Sequence, residues 1–71
     1  MFDYQQRVVV EQQELLTKIE KLSAFIDGKL FRGLSTEEQD LLNEQLASMR
    51  KYHYTLIHRI ELFKSQHITR T

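Results

Sequence analysis

Residues 27–38 read DGKLFRGLSTEE, and they hold the only two glycines, Gly28 and Gly33, of a chain that contains no proline. Either glycine can take the left-handed conformation that closes a helix. Directly after them, Ser35-Thr36-Glu37-Glu38 has the form of a capping box. The Ser35 hydroxyl accepts from the amide of Glu38, and the Glu38 carboxylate reaches back to the amide of Ser35. Glu37, Glu38 and Asp40 add negative charge at the positive end of the helix dipole, each stabilising by about 0.3–1 kcal/mol. This stretch therefore predicts one helix stop, a turn over 29–35 and one helix start at Thr36.

The sequence on both sides keeps a helical period. Before the turn, Val8, Leu15 and Leu22 recur at seven, with Ile19, Ile26 and Leu30 on adjacent rows. After it, Leu42, Met49, Leu56 and Phe63 recur at seven, interleaved with Leu46, His53 and Ile60. These are the apolar stripes of two amphipathic helices. Helix 1 is expected over about 3–28 and helix 2 over about 36–66, with a tail at 67–71. A seven-residue repeat on both predicts coiled-coil-like packing, and the short connection sets the helices antiparallel. The fold class is all-α: an antiparallel two-helix hairpin, one domain over 1–71. Folding about Gly33 brings Ile26 near Leu42, Leu22 near Leu46 and Ile19 near Met49. It also brings Leu15 near His53 and Val8 near Ile60, and puts the polar seam residues Gln12 and His53 within reach of each other.

A hairpin of this size buries one stripe per helix, while each ordered residue costs about 1.5 kcal/mol of conformational entropy, so it rarely folds alone. Val9, Leu16, Leu41, Tyr52 and Ile57 lie beside the seam and are expected to form a self-association surface. A homodimeric four-helix bundle is the simplest assembly, with higher even states as alternatives.

Composition removes several function classes. Ten Lys and Arg balance ten Asp and Glu, so the chain as a whole has no attraction for nucleic acid or an anionic membrane. The absence of cysteine excludes disulfides, thiolate zinc sites and cysteine nucleophiles. Near the N-terminus only Val8, Val9 and Val10 run together, too few for a secretory signal or a membrane span. His53 and His58 stand about 140° apart on a helix and cannot share an ion. Glu11 with Glu14, and Glu37 with Glu38, are ordinary helix-surface carboxylates, and the two glycines fit no phosphate-loop spacing. The sequence predicts a non-enzyme without metal or cofactor.

Charge is nevertheless segregated. Residues 1–33 are balanced, residues 34–49 carry four acids and no base, and residues 50–71 carry five bases against Glu61 alone. Within the basic part, residues 50–59 read RKYHYTLIHR. Arg50, Lys51, Tyr52, Tyr54, His58 and Arg59 are the candidate ligand-binding residues, because guanidinium and ammonium groups take phosphate while tyrosine rings stack on bases. A structural reading stands beside it: basic residues suit a helix C-terminus, and tyrosines suit interface rims.

Tyr4-Gln-Gln-Arg-Val8, Glu14-Leu15, Lys18, Lys21-Leu22, Phe25-Ile26, Phe31, Leu34, Glu38, Leu41-Leu42, Gln45, Met49, Tyr52, Leu56, Arg59-Ile60 and Phe63 together resemble a family of small phage and prophage proteins, over nearly the whole chain. The resemblance implies a viral origin and action in the host cytoplasm. The helical-hairpin architecture of that family looks like that of phage anti-defence sponges, which oligomerise and sequester the cyclic nucleotide signals of CBASS and Thoeris immunity. On that likeness the expected partners are a second copy of the chain and a cyclic di- or trinucleotide. A protein-binding inhibitor or adaptor acting on a host protein is the alternative, and a weak nucleic-acid binder is a third.

Overall fold

The computed structural model describes residues 2–69 and builds them from three helices, α1 (Phe2–Ile26), α2 (Lys29–Arg32) and α3 (Thr36–Thr69). Among the described residues, those outside a helix lie at 27–28 and 33–35. The long helices have no internal proline or glycine to interrupt them. α3 continues past position 66 to Thr69, so residues 67–69 are helical where a tail was expected; no glycine or proline follows Gly33 to stop it. Residues 70 and 71 of the expected tail lie outside the described residues.

The connection departs from the sequence reading in its backbone. α1 ends at Ile26, where Asp27 N donates to Ser23 O at 3.2 Å and Gly28 N to Phe25 O at 3.0 Å. Neither glycine is left-handed: Gly28 is extended at φ −95°, ψ 175°, and Gly33 is right-handed at φ −83°, ψ −5°. The chain turns through the extended Gly28 into the single helical turn α2, a shape that needs no positive φ. Phe25 and Phe31 meet edge to face across this corner, centroids 6.3 Å apart. Ser35 Oγ accepts from Glu38 N at 3.1 Å, as expected of a helix cap. A second tie comes from Gln39, whose Nε2 donates to Phe31 O at 2.9 Å and satisfies a carbonyl at the end of α2.

α1 packs along α3 with paired residues running in opposite numerical order. Tyr4 meets Phe63, and Gln12 meets His53. Val8, Ile19, Leu46 and Leu56 are buried, Leu56 completely. Leu15, Leu22, Ile26, Leu42, Met49, Ile60 and Phe63 are half-buried around them. The result is a rod of 55 × 16 × 15 Å with one narrow seam. Such a rod shields only one side of each helix, and large apolar side chains stay in water, Leu41 at 59 % and Leu62 at 58 % exposure among them. No helix of the described residues is long and apolar enough to cross a membrane.

Candidate functional site

At the end of the rod away from α2, the first turn of α1 lies against the seventh and eighth turns of α3. The Arg59 guanidinium donates through Nη2 to the Tyr4 hydroxyl at 2.7 Å, with its central carbon 5.7 Å from the Tyr4 ring centroid. Phe63 meets Tyr4 in a tilted edge contact, centroids 5.7 Å apart. Tyr4, Gln5, Arg59, Leu62 and Phe63 line one shallow groove, and Gln5, Gln6, Val9, Ile60, Phe63 and Lys64 line a second. Each groove therefore pairs an aromatic or aliphatic floor with one cation. Both contacts made by Arg59 go to a neutral tyrosine, so its positive charge is not cancelled by them. An aromatic surface beside a guanidinium is the chemistry that suits a planar anion.

One helical repeat further along, Tyr52 donates its hydroxyl to the Glu11 carboxylate. That hydrogen bond holds the Tyr52 phenol above its ordinary value of 10.0, with burial and the Glu11 charge acting in the same direction and Arg59 opposing them. Tyr4 and Glu11 are seven apart on α1, and Arg59 and Tyr52 seven apart on α3. The four form a two-rung ladder on one flank of the seam.

The six candidate residues of α3 divide between faces. Tyr52 and Arg59 share the ladder flank. Tyr54 and His58 pack with their rings tilted at 47°, centroids 4.2 Å apart, and are exposed. By helical rotation that pair and Lys51 point away from α1, while Arg50 lies on the side opposite Tyr52. The decapeptide 50–59 thus spreads its residues over more than one face of α3. The residues missed from sequence are Tyr4, Glu11, Gln5 and Phe63. Their signal was the register: folding the chain back sets Tyr4 opposite the stretch around Arg59. Among the expected interface residues, Leu16, Leu41 and Tyr52 are exposed, and Val9 and Ile57 are half-buried. Leu41 and Tyr52 share one flank, since eleven residues return a helix to within about 20°, whereas Ile57 lies about 140° round from Tyr52. The five residues occupy two flanks rather than one surface.

His53 lies in the seam, half-buried, with Gln12 Nε2 at 2.8 Å from its Nε2. Among the described residues no three His, Asp or Glu side chains converge as a metal site.

Residues 3–62 match the model of a protein family described as Sequestin. The chain is also 42% identical over 64 residues to an uncharacterised 7.5 kDa protein from the denB-rIIB intergenic region of enterobacteria phage T4, covering 90% of this chain and 100% of that protein. No solved structure matches the chain.

Proposed function

This chain belongs to the Sequestin family, and from that membership we propose that it is a non-catalytic phage protein that acts by holding a partner molecule rather than transforming it. The family's description supports sequestration, and the relative in phage T4 supports a phage origin. The observation that carries the choice of ligand is the Arg59–Tyr4–Phe63 cluster, in which a guanidinium stands over an aromatic ring at the mouth of a groove. The ligand is a phosphorylated planar molecule, and the reading commits to a cyclic di- or trinucleotide of host immune signalling. Its protein is a hairpin unit of a homo-oligomeric helical bundle acting in the host cytoplasm, because a lone pair of helices leaves Leu41, Tyr52 and Leu62 in water. Arg59 supplies the phosphate contact, and Tyr4 and Phe63 the stacking surface. Lys51, Tyr54 and His58, facing outward, have no part in that groove.

Isothermal calorimetry of the purified protein against cyclic di- and trinucleotides, ADP-ribose derivatives and mononucleotides tests the reading. Saturable heat with a cyclic nucleotide, and recovery of that nucleotide unaltered after heat denaturation of the protein, are the expected results. No heat with any of them would overturn the ligand assignment and leave the alternative, an inhibitor or adaptor that docks on a host protein.

A further inference from the structure

α3 carries two heptad stripes. The first, Leu42, Leu46, Met49, His53, Leu56, Ile60 and Phe63, is the seam against α1. The second is displaced from it by one residue throughout: Leu41, Gln45, Ser48, Tyr52, Thr55, Arg59 and Leu62. One residue is about 100° of helical rotation, close to the right angle at which a helix in a four-helix bundle meets its second neighbour. In the structure this second stripe is exposed at every position except the half-buried Arg59, with Leu41 at 59 %, Tyr52 at 44 % and Leu62 at 58 % exposure. No other row of α3 has a leucine at both ends.

The stripe is nearly symmetric about its centre. Its order is Leu, Gln, Ser, Tyr, Thr, Arg, Leu: an apolar residue at each end, a long polar one inside it, a small hydroxyl residue next, and an aromatic residue in the middle. A two-fold interface brings each residue of a patch against its mirror position in the same patch, so it demands a self-complementary surface of this kind. Charge adds the same requirement. Residues 34–49 carry four acids without a base, and residues 50–71 carry five bases against one acid. Only an antiparallel alignment lays the acidic half of one α3 beside the basic half of the other.

We propose that two copies of this chain pair through α3, antiparallel, about a two-fold axis passing close to Tyr52. Leu41 of each copy meets Leu62 of the other, Ser48 meets Thr55, and Tyr52 lies beside its own counterpart. The two Lys51 side chains, exposed and turned away from α1, stay on the outer face of the pair in solvent. Small Ser48 and Thr55 let the two backbones approach on either side of the tyrosines. The groove at Arg59 is then walled on its open side by Gln45 of the second copy, and the ligand site lies between protomers. This geometry rests on the homo-oligomer reading above.

The chain has no cysteine, so single cysteines report contacts without background. Ser48→Cys and Thr55→Cys proteins, mixed and oxidised, are expected to give a disulfide-linked dimer, whereas either alone gives little, because its two copies lie about two helical turns apart. A parallel pairing of α3 would instead link Ser48→Cys to itself, and that result overturns the proposal. Sedimentation of the unmodified protein separates the two levels of failure. A monomer at micromolar concentration sinks the oligomer reading itself, whereas an oligomer without the mixed crosslink sinks this surface alone. Leu41→Arg, checked for retained helicity by circular dichroism, is expected to dissociate the dimer; a helical variant that still sediments as a dimer counts against the α3 interface.

Discussion

Gln12 and His53 face each other across the seam, amide nitrogen to imidazole Nε2, at 2.8 Å. With the Gln12 amide donating, His53 is neutral at Nε2 and carries its proton on Nδ1. This pair sits on the stripe otherwise filled by apolar side chains, so a slip of one turn would leave both groups facing hydrocarbon. It fixes register at a cost in stability.

A double-mutant cycle measures that cost. Gln12→Leu and His53→Leu singly are each expected to destabilise by about 1 kcal/mol or somewhat more, because each leaves a half-buried polar group without its partner. The double variant is expected to be close to the unmodified protein in urea unfolding, since an apolar pair satisfies the seam as well. Additive losses in the double variant would mean that the two side chains act independently.

How far the sequence disclosed this arrangement depends on the range of the interaction. The stripes were legible because a helix converts spacing directly into direction, and the start at Thr36 was legible because Ser35 and Glu38 act within one turn. The Gln12–His53 contact was legible from the fold-back register alone. The backbone of the corner was not: Gly28 and Gly33 suit several conformations, and the choice made here follows from the packing of Phe25 on Phe31 and the reach of Gln39 to α2. The ladder of Tyr4, Glu11, Tyr52 and Arg59 was hidden for a similar reason. RKYHYTLIHR drew attention as a contiguous run, but a helix scatters contiguous residues round its circumference, and the partners of Tyr52 and Arg59 came from the far end of the sequence.

The connection itself yields a prediction. Gly33 has φ −83°, and a Cβ built on it would meet only the Leu30 carbonyl oxygen at 3.6 Å, an ordinary contact. Gly33→Ala is therefore expected to stabilise, by about 0.4–1 kcal/mol, by reducing the freedom of the unfolded chain. A drop in thermal midpoint would show that the position needs a conformation or an approach that alanine cannot supply.

Tyr52 gives the protein an alkaline limit. Its hydroxyl donates to Glu11, so the folded state holds the phenolic proton more firmly than the unfolded chain, whose tyrosine titrates near 10.0. A raised folded-state value means that the stabilisation is complete below about pH 10 and is lost as pH climbs through the folded value, since the folded state then binds more protons than the unfolded one. The thermal midpoint is expected to fall more steeply above pH 10 in the unmodified protein than in Tyr52→Phe. Tyr4 and Tyr54 are common to both proteins and cancel. Equal slopes would mean that the Tyr52–Glu11 bond does not persist in solution.

Arg59 separates binding from folding. It is half-buried, and its partners are the exposed hydroxyl and the ring of Tyr4. A hydrogen bond and a cation–π contact of this exposure contribute about 1 kcal/mol together, so Arg59→Ala is expected to leave helicity and the assembly intact. If a cyclic nucleotide binds at the groove, the same variant loses the ligand-induced rise in thermal midpoint, because the cation that takes phosphate is gone. Arg59→Lys keeps the charge but not the planar fork, and is expected to restore little of that rise where the contact is bidentate. Tyr4→Phe completes the test: it removes the hydroxyl that positions Arg59 and retains the ring on which a base would stack, so binding should weaken without vanishing. Thermal shift with one saturating cyclic nucleotide reads all three variants. Full binding by Arg59→Ala would move the site away from this groove, and unfolding of Arg59→Ala would make Arg59 a structural residue of the seam.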